Sequence, residues 1–218
     1  MRVVGKSLAR VDAPGKVSGT AVYAADFALP GMLCGKVLRS SLPHARIIRL
    51  DVTCARALPG VRAVITAADI PDVRYGGGLK DETAFAKDKV RYVGQPVAAV
   101  AAATPEAAEA ALAAIDAVYE PLPAVLDLEA ALAPEAPLIH EAWESYTAIP
   151  ILHREGNICH RARIVVGDVE RGFEEADRVF EHRFRTGMVH QGYTEPRAAV
   201  ASWDSSGQVT VWSNTQLP

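Results

Sequence analysis

The chain has 218 residues, half of them apolar, with a formal net charge of -3. That length can bury a real core in one large or two small domains, and scattered Lys and Arg with no aromatic-interleaved basic run argue against a nucleic-acid partner. No apolar run approaches the roughly 20 residues of a membrane span, and the N-terminus, MRVVGKSLARVDAPGK, lacks the apolar centre of a secretory signal, so a cytoplasmic protein with no membrane partner is expected.

Three cysteines, Cys34, Cys54 and Cys159, stand far apart with no CxxC pair. An odd number at such spacing argues against a disulfide framework or a cysteine metal site and predicts buried or half-buried free thiols.

In chain order, VDAPGKVSGTAVYAA (residues 11–25) begins with a turn favoured by Asp12, Pro14 and Gly15, and Tyr23 sits in a short extended run. Residues 31–40 alternate loosely and predict a strand with two partly apolar faces. HARIIRLDV (44–52) is a second strand, one helical turn fills 53–58 before the Pro59-Gly60 break, and 61–66 is a third strand. A helical turn near 67–69 ends at Pro71. YGGG (75–78) is a flexible loop that a phosphate could approach, but no GK[ST] follows it and no GxGxxG opens a helix there.

The most informative stretch is 89–125, KVRYVGQPVAAVAAATPEAAEAALAAIDAVYEPLPAV. Its Val- and Ala-rich run 96–103, bounded by Gly94 and Pro105, predicts a buried strand. Thr104 as cap, Pro105 at the first helical position and Glu106 in the first turn predict a helix over 105–116, with Ala108, Ala111, Leu112 and Ile115 on a narrow apolar stripe and Glu106 and Glu109 outside. An extended pattern resumes at 117–119, before Pro121 and Pro123 break it.

Between 127 and 157 the periodicity weakens around Pro134, Pro137 and Pro150, which predicts a connector with one short helix. Residues 161–166 are expected as a strand. Asp168 caps a helix over 169–177, and VFEHRFRT (179–186) alternates as a half-buried strand. Residues 198–202 and 208–213 flank DSSG as a hairpin. The closing WSNTQLP follows a strand without a helix or polar tail, which leads us to expect that the fold is completed by further polypeptide.

The chemistry-bearing residues form no familiar constellation. There is no GxSxG, no cysteine matched to a histidine and no close carboxylate pair, so no catalytic residue is assigned. His182, His190 and Glu195 lack HExxH-type spacing, and no metal site is assigned to them. His44, His140, His153 and His160 are expected at the surface or as hydrogen-bonding supports.

The blocks VDAPGKVSGTAVYAADFALPGMLCGKVLRSSLPHARI, ALPGVRAVITAADIP, VRYVGQPVAAVAA, YEPLPAV, GDVERGFEEADRVFEHRF and VHQGYTEPRAAVASWD, in this order, resemble the start of the large molybdenum-cofactor subunit of the xanthine dehydrogenase and aldehyde oxidase family. The group that includes carbon monoxide dehydrogenase and 4-hydroxybenzoyl-CoA reductase is most similar. The resemblance implies an α+β fold: an N-terminal arm (1–16), an α/β hammerhead domain (17–125), a connector (126–158) and the start of a mixed α/β molybdopterin-binding domain (159–218).

It also implies molybdenum-molybdopterin in the complete assembly, [2Fe-2S] clusters and FAD on partner subunits or domains, and a hetero-oligomer with the remaining molybdopterin-binding region, the iron-sulfur subunit and the FAD subunit. The family's GGxFGGK-like segment and its catalytic glutamate have no counterpart in these 218 residues. The chain by itself is therefore expected to be inactive. Counting back from Glu195, the family's glutamine beside the metal falls on Val189, with Gln191 the nearest glutamine. Gln191 and Glu195 are the cofactor neighbours so implied. A stand-alone α/β interaction module without molybdenum is the alternative.

Overall fold

The computed structural model describes residues 3–151 and 153–216. Met1, Arg2, Leu152, Leu217 and Pro218, which belong to the expected arm, connector and closing segment, lie outside the described residues. The chain forms two compact units, Leu33–Val179, and Met1–Met32 together with Phe180–Pro218.

The first unit is organised around a central strand. Its elements in chain order are β1 (Cys34–Arg39), β2 (Ala45–Asp51), α2 (Thr53–Ala57), β3 (Val61–Thr66), β4 (Lys89–Val90), β5 (Pro96–Ala102), α3 (Pro105–Ala113), β6 (Asp116–Pro121), α4 (Leu128–Leu132) and α5 (Val169–Glu174), while α1 (Ala13–Ser18) belongs to the other unit. Antiparallel partners lie on both edges of β5, giving the order β1-β5-β3. A strand paired on both sides has its backbone groups satisfied, so side chains as small as Ala and Val suffice to bury it.

The local signals for α3 act as expected. The Thr104 hydroxyl accepts from the Ala107 N–H at 3.2 Å, Pro105 opens the helix and Glu106 sits in its first turn. Ala108 and Ala111 are fully buried and Ile115 nearly so, with Ala98, Val100, Ala102, Val64 and Ala55 in the same core. An alanine stripe lets the helix axis approach β1 and β5 closely, and the close approach excludes water from both elements. Lys36 on β1 reaches over this seam to Glu109, with Nζ 2.9 Å from Oε1.

β6 does not return to the sheet of β5. It pairs with β2 in a second antiparallel sheet of order β4-β2-β6. Ala45, Ala86, Val90 and Val97 form the core there, so the alternation of β5 feeds both clusters, with Val97 in one and Ala98, Val100 and Ala102 in the other. The turn after β3 is held by side chains: Asp69 Oδ2 accepts from the Thr66 N–H and hydroxyl, both at 2.8 Å, and the Arg56 guanidinium donates to Asp69 and to the Val64 carbonyl.

Two expected strands are absent. Residues 161–166 and 179–186 join no ladder, and every residue from 159 to 194 is exposed. Alternating side chains make a segment competent for a sheet, but a strand exists only where a second edge takes its N–H and C=O groups, and no described strand pairs here. Helix α5 is capped as expected, Asp168 Oδ1 accepting from the Arg171 N–H at 3.1 Å, but it ends at Glu174 and buries none of its residues.

One smaller expectation also changes. Cys54 and Cys159 are exposed and only Cys34 is half-buried; in α2 it is Ala55, not its neighbour Cys54, that is turned into the core. Of the two roles expected for His44, the structure shows the hydrogen-bonding one: the ring is buried, with Nδ1 2.6 Å from the Pro123 carbonyl oxygen.

In the second unit, helix α1 stands in place of the expected turn, opened by Pro14 and closed by Gly19 at φ +73°, a conformation that favours glycine. A single 3-10 turn follows at Ala24–Asp26, where Tyr23 N–H donates to Asp26 Oδ2 at 3.0 Å. β7 (Ala199–Trp203) and β8 (Val209–Ser213) form the expected hairpin. Its loop is drawn in by Asp204 Oδ1, which accepts from Ser206 N–H, Ser206 hydroxyl and Gln208 N–H at 2.8, 2.6 and 3.0 Å. Among the described residues no helix is long and apolar enough to cross a membrane.

Candidate functional site

Glu195 and Gln191, the residues singled out from the sequence, lie on the segment that leads into β7. Two contacts fix that approach. The Asn214 side chain bridges it to the end of β8, its Nδ2 donating to the Pro196 carbonyl at 2.9 Å and its Oδ1 accepting from the Ala198 N–H at 3.1 Å. Arg197 places its guanidinium 4.9 Å from the centre of the Tyr193 ring, a cation–π contact. Phe27 stacks on Trp212 of β8 at 4.9 Å between ring centres.

The result is a cavity of about 420 Å³ lined by Tyr23, Ala25, Asp26, Thr194, Glu195 and Pro196. Glu195 is half-buried on its wall. Gln191 is not among the lining residues: it is exposed, with its side-chain oxygen 3.5 Å from the Tyr193 hydroxyl. The structure therefore separates the two residues, one facing a cavity and the other on the surface. His190 uses its Nδ1 to accept from the Gly192 N–H at 3.0 Å, a local turn contact. His182, His190 and Glu195 do not converge, and among the described residues no group of three or more His, Cys, Asp or Glu side chains could hold a metal ion.

A phosphate-bearing pterin is an anion, and it needs backbone N–H groups or cations around it. The charged groups lining this cavity, Asp26 and Glu195, are carboxyls, and no Lys or Arg is among the described residues of its wall. These residues do not make a cradle for the cofactor by themselves.

The Leu33–Val179 unit holds the more polar cavity, about 400 Å³, with Arg74, Lys87, Lys89, Arg91, Asp81 and His140 among its walls. Much of its charge is internally matched. Lys87 pairs with Asp72 at 3.1 Å, Lys89 with Glu141, and Arg91 donates to the Ile139 carbonyl at 3.0 Å. His140 bonds the Tyr146 hydroxyl through Nδ1 at 3.1 Å, and burial, reinforced by the nearby Arg91 and Arg74 charges, holds its pKa below the usual imidazole range.

None of these roles was readable from a histidine in a proline-rich segment. The glycine loop belongs to this region too. A Cβ on Gly76 would fall 1.9 Å from the Leu79 carbonyl oxygen, and Gly78 O and Lys80 N–H pair with Ile149 N–H and Thr147 O. The loop serves a tight turn and a backbone seam.

Comparison with known proteins supplies what the side chains alone do not. Residues 18–123 match the family described as aldehyde oxidase and xanthine dehydrogenase, a/b hammerhead domain, and residues 152–218 match the molybdopterin cofactor-binding domain. The chain is 41% identical over 96% of its length to a probable xanthine dehydrogenase subunit from Bacillus subtilis, covering 27% of that protein. It is 39% identical over its whole length to the nicotinate dehydrogenase large molybdopterin subunit of Eubacterium barkeri, covering 48% of it.

Its fold superposes on the reconstituted CO dehydrogenase from Oligotropha carboxidovorans with a TM-score of 0.81 and 34% identity, over 96% of this chain and 27% of that one. The chain thus spans about a quarter to a half of the length of these relatives. With the two domain matches in tandem on a shared fold, the chain belongs to the aldehyde oxidase and xanthine dehydrogenase family of molybdopterin-binding large subunits.

Proposed function

We propose that this chain is the scaffold portion of a molybdenum hydroxylase or dehydrogenase large subunit, inactive alone and completed by further large-subunit polypeptide. The observation that carries the reading is the tandem order of the hammerhead match and the molybdopterin-domain match along one chain. The functional division is an arm at 1–16, the hammerhead domain at 17–125, a connector at 126–158 and the opening of the cofactor domain at 159–218. In the complete assembly Glu195 and Gln191 would neighbour the molybdopterin, which would supply the redox centre, although Glu195 alone lines the cavity and neither residue forms a cradle for it here. Their part is to offer hydrogen bonds, while the cations that an anionic cofactor needs come from the added polypeptide.

On this reading [2Fe-2S] clusters and FAD on partner subunits would take up the electrons, in a cytoplasmic hetero-oligomer. Three free thiols are compatible with a reducing compartment. Co-expression with the polypeptide that corresponds to the rest of the relatives' length and with the iron-sulfur subunit, followed by metal analysis, tests the reading. Molybdenum co-purifying in stoichiometric amount with the complex is expected; no complex and no molybdenum would overturn it.

A second reading, a stand-alone interaction module, draws on the two cores closed within Leu33–Val179. It requires the isolated chain to be monodisperse and stably folded, with the last strand protected from hydrogen exchange. Rapid exchange and aggregation through residues 197–218 would rule it out.

A further inference from the structure

Residues 139–149 form a strap bonded to residues 78–91 of the same unit, and polar contacts fasten it. At its start the Ile139 carbonyl accepts from Arg91 Nε at 3.0 Å and Glu141 pairs with Lys89. At its end the Lys80 N–H donates to the Thr147 carbonyl at 2.8 Å and the Ile149 N–H to the Gly78 carbonyl at 2.9 Å. Arg154 donates to the Trp143 and Tyr146 carbonyls at 2.7 and 3.0 Å. Within the strap His140 and Tyr146 meet edge to face, with ring centres 5.5 Å apart and Nδ1 3.1 Å from the hydroxyl. His140 stands on the wall common to the polar cavity of about 400 Å³ and a second cavity of about 270 Å³ that Ile139, Trp143 and Tyr146 also line.

The protons of this pair can be counted. Tyr146 is 5% exposed, and among the described residues its hydroxyl has no partner except His140. A buried phenol proton without an acceptor is costly, so the hydroxyl donates to a bare Nδ1 and the neutral ring carries its hydrogen on Nε2. Protonating the ring puts a hydrogen on Nδ1 as well. The phenol must then turn to accept it, and its own hydrogen is left unpaired.

The charges around the ring oppose protonation too. Burial first, then Arg91 and Arg74, hold its pKa below the usual imidazole range against the pull of Asp81 and Glu141. Glu141 is engaged by Lys89, and the Arg74 guanidinium is fixed 4.5 Å from the centre of the Tyr146 ring. Farther round the first cavity stand the Lys87–Asp72 pair, Glu82, Asp88 and Tyr92, and on the second stand Arg154 and the Cys159 thiol.

We propose that His140 is a pH-sensitive latch: neutral, it locks residues 139–149 onto residues 78–91, and protonated, it releases the strap and opens the two cavities to each other. Because the closed-state pKa is lowered, the latch holds fully above the free imidazole value of about 6.5 and is lost as pH falls from there toward the closed-state value. At about pH 5.5, roughly one pH unit below the free value, the gain in opening is at most about tenfold.

Hydrogen exchange of the full chain at about pH 7.5 and about pH 5.5, corrected for the intrinsic pH dependence of amide exchange, tests the proposal. Opening of 139–149 is expected to rise about three- to tenfold at the lower pH while β5 amides stay unchanged. His140→Gln keeps a hydrogen-bonding group that does not titrate and leaves the five other histidines in place, and it is expected to abolish the rise. Titration of the imidazole signals of the unmodified chain by NMR needs no variant and is expected to place His140 below free imidazole; it decides the matter should His140→Gln lose β5 protection. A rise of less than about twofold, an equal rise in β5 that marks global unfolding, a rise that persists in folded His140→Gln, or a ring that titrates at or above the free value would each overturn the latch.

Discussion

Residues 96–115 and residues 159–194 both carry apolar side chains, and these meet opposite fates. In the first stretch Val97, Ala98, Val100, Ala102, Ala108, Ala111 and Ile115 are buried. In the second Ile164, Val166, Phe173, Phe180, Phe184 and Met188 face solvent. The first stretch is the more apolar overall while the second holds the larger apolar side chains, and the two also differ in edges: β5 has β1 and β3 to complete its hydrogen bonding, whereas 161–166 and 179–186 join no described ladder. Burial in a sheet is conditional on backbone pairing, because an unpaired N–H or C=O taken out of water costs more than a side chain returns.

Substitutions at matched positions test this contrast. The largest effect is expected at Val100, 2% exposed between α3 and the sheet. Val100→Ala removes two carbons from a filled core and should cost about 2 kcal/mol, read as a lower urea midpoint at unchanged slope. Next is Thr104→Ala, which strips the α3 cap and should cost about 1 kcal/mol, with faster exchange at Ala107.

A third test concerns pH. Hydrogen bonds from the Ser206 hydroxyl and the Gln208 N–H hold the Asp204 carboxyl below the usual carboxylate range. Its contribution to the β7-β8 hairpin is therefore present above the unfolded value of ~3.9 and lost as pH falls through the lower folded value. Trp212 fluorescence should report acid opening below about pH 4 that Asp204→Ala removes.

The smallest effect is expected at Ile164, 91% exposed. Ile164→Ser should change the stability of the isolated chain by less than about 0.5 kcal/mol. A cost at Ile164 equal to that at Val100 would break the contrast between the two stretches.

Several features were legible because their causes are local. Thr104, Pro105 and Glu106 announce the start of α3 within one turn, Asp168 announces α5, and Asp204 with Gly207 announces the hairpin. The family blocks were legible for another reason: order and density of motifs carry information that no single residue does. The clamp by Asn214 was not legible, since its partners Pro196 and Ala198 are brought to it only by the pairing of β7 with β8. Nor were the burial of His44 and the place of His140 on a charged cavity, because their partners, Pro123 for one and Arg91 and Tyr146 for the other, come from elsewhere in the chain. Gln191 and Glu195, four residues apart in the sequence, part company for the same reason, one on the surface and one on a cavity wall.

The amino-acid sequence by itself determined where α2, α3, α5 and the β7-β8 turn begin, though not α1, and to which family the chain belongs. Caps, proline and periodicity act within a few residues and need nothing remote. Tertiary structure alone decided which alternating segments are strands, which sheet β6 joins and which polar groups share a cavity. Each of those outcomes depends on a second backbone edge or a distant side chain arriving at hydrogen-bonding distance, and no local pattern encodes whether it arrives.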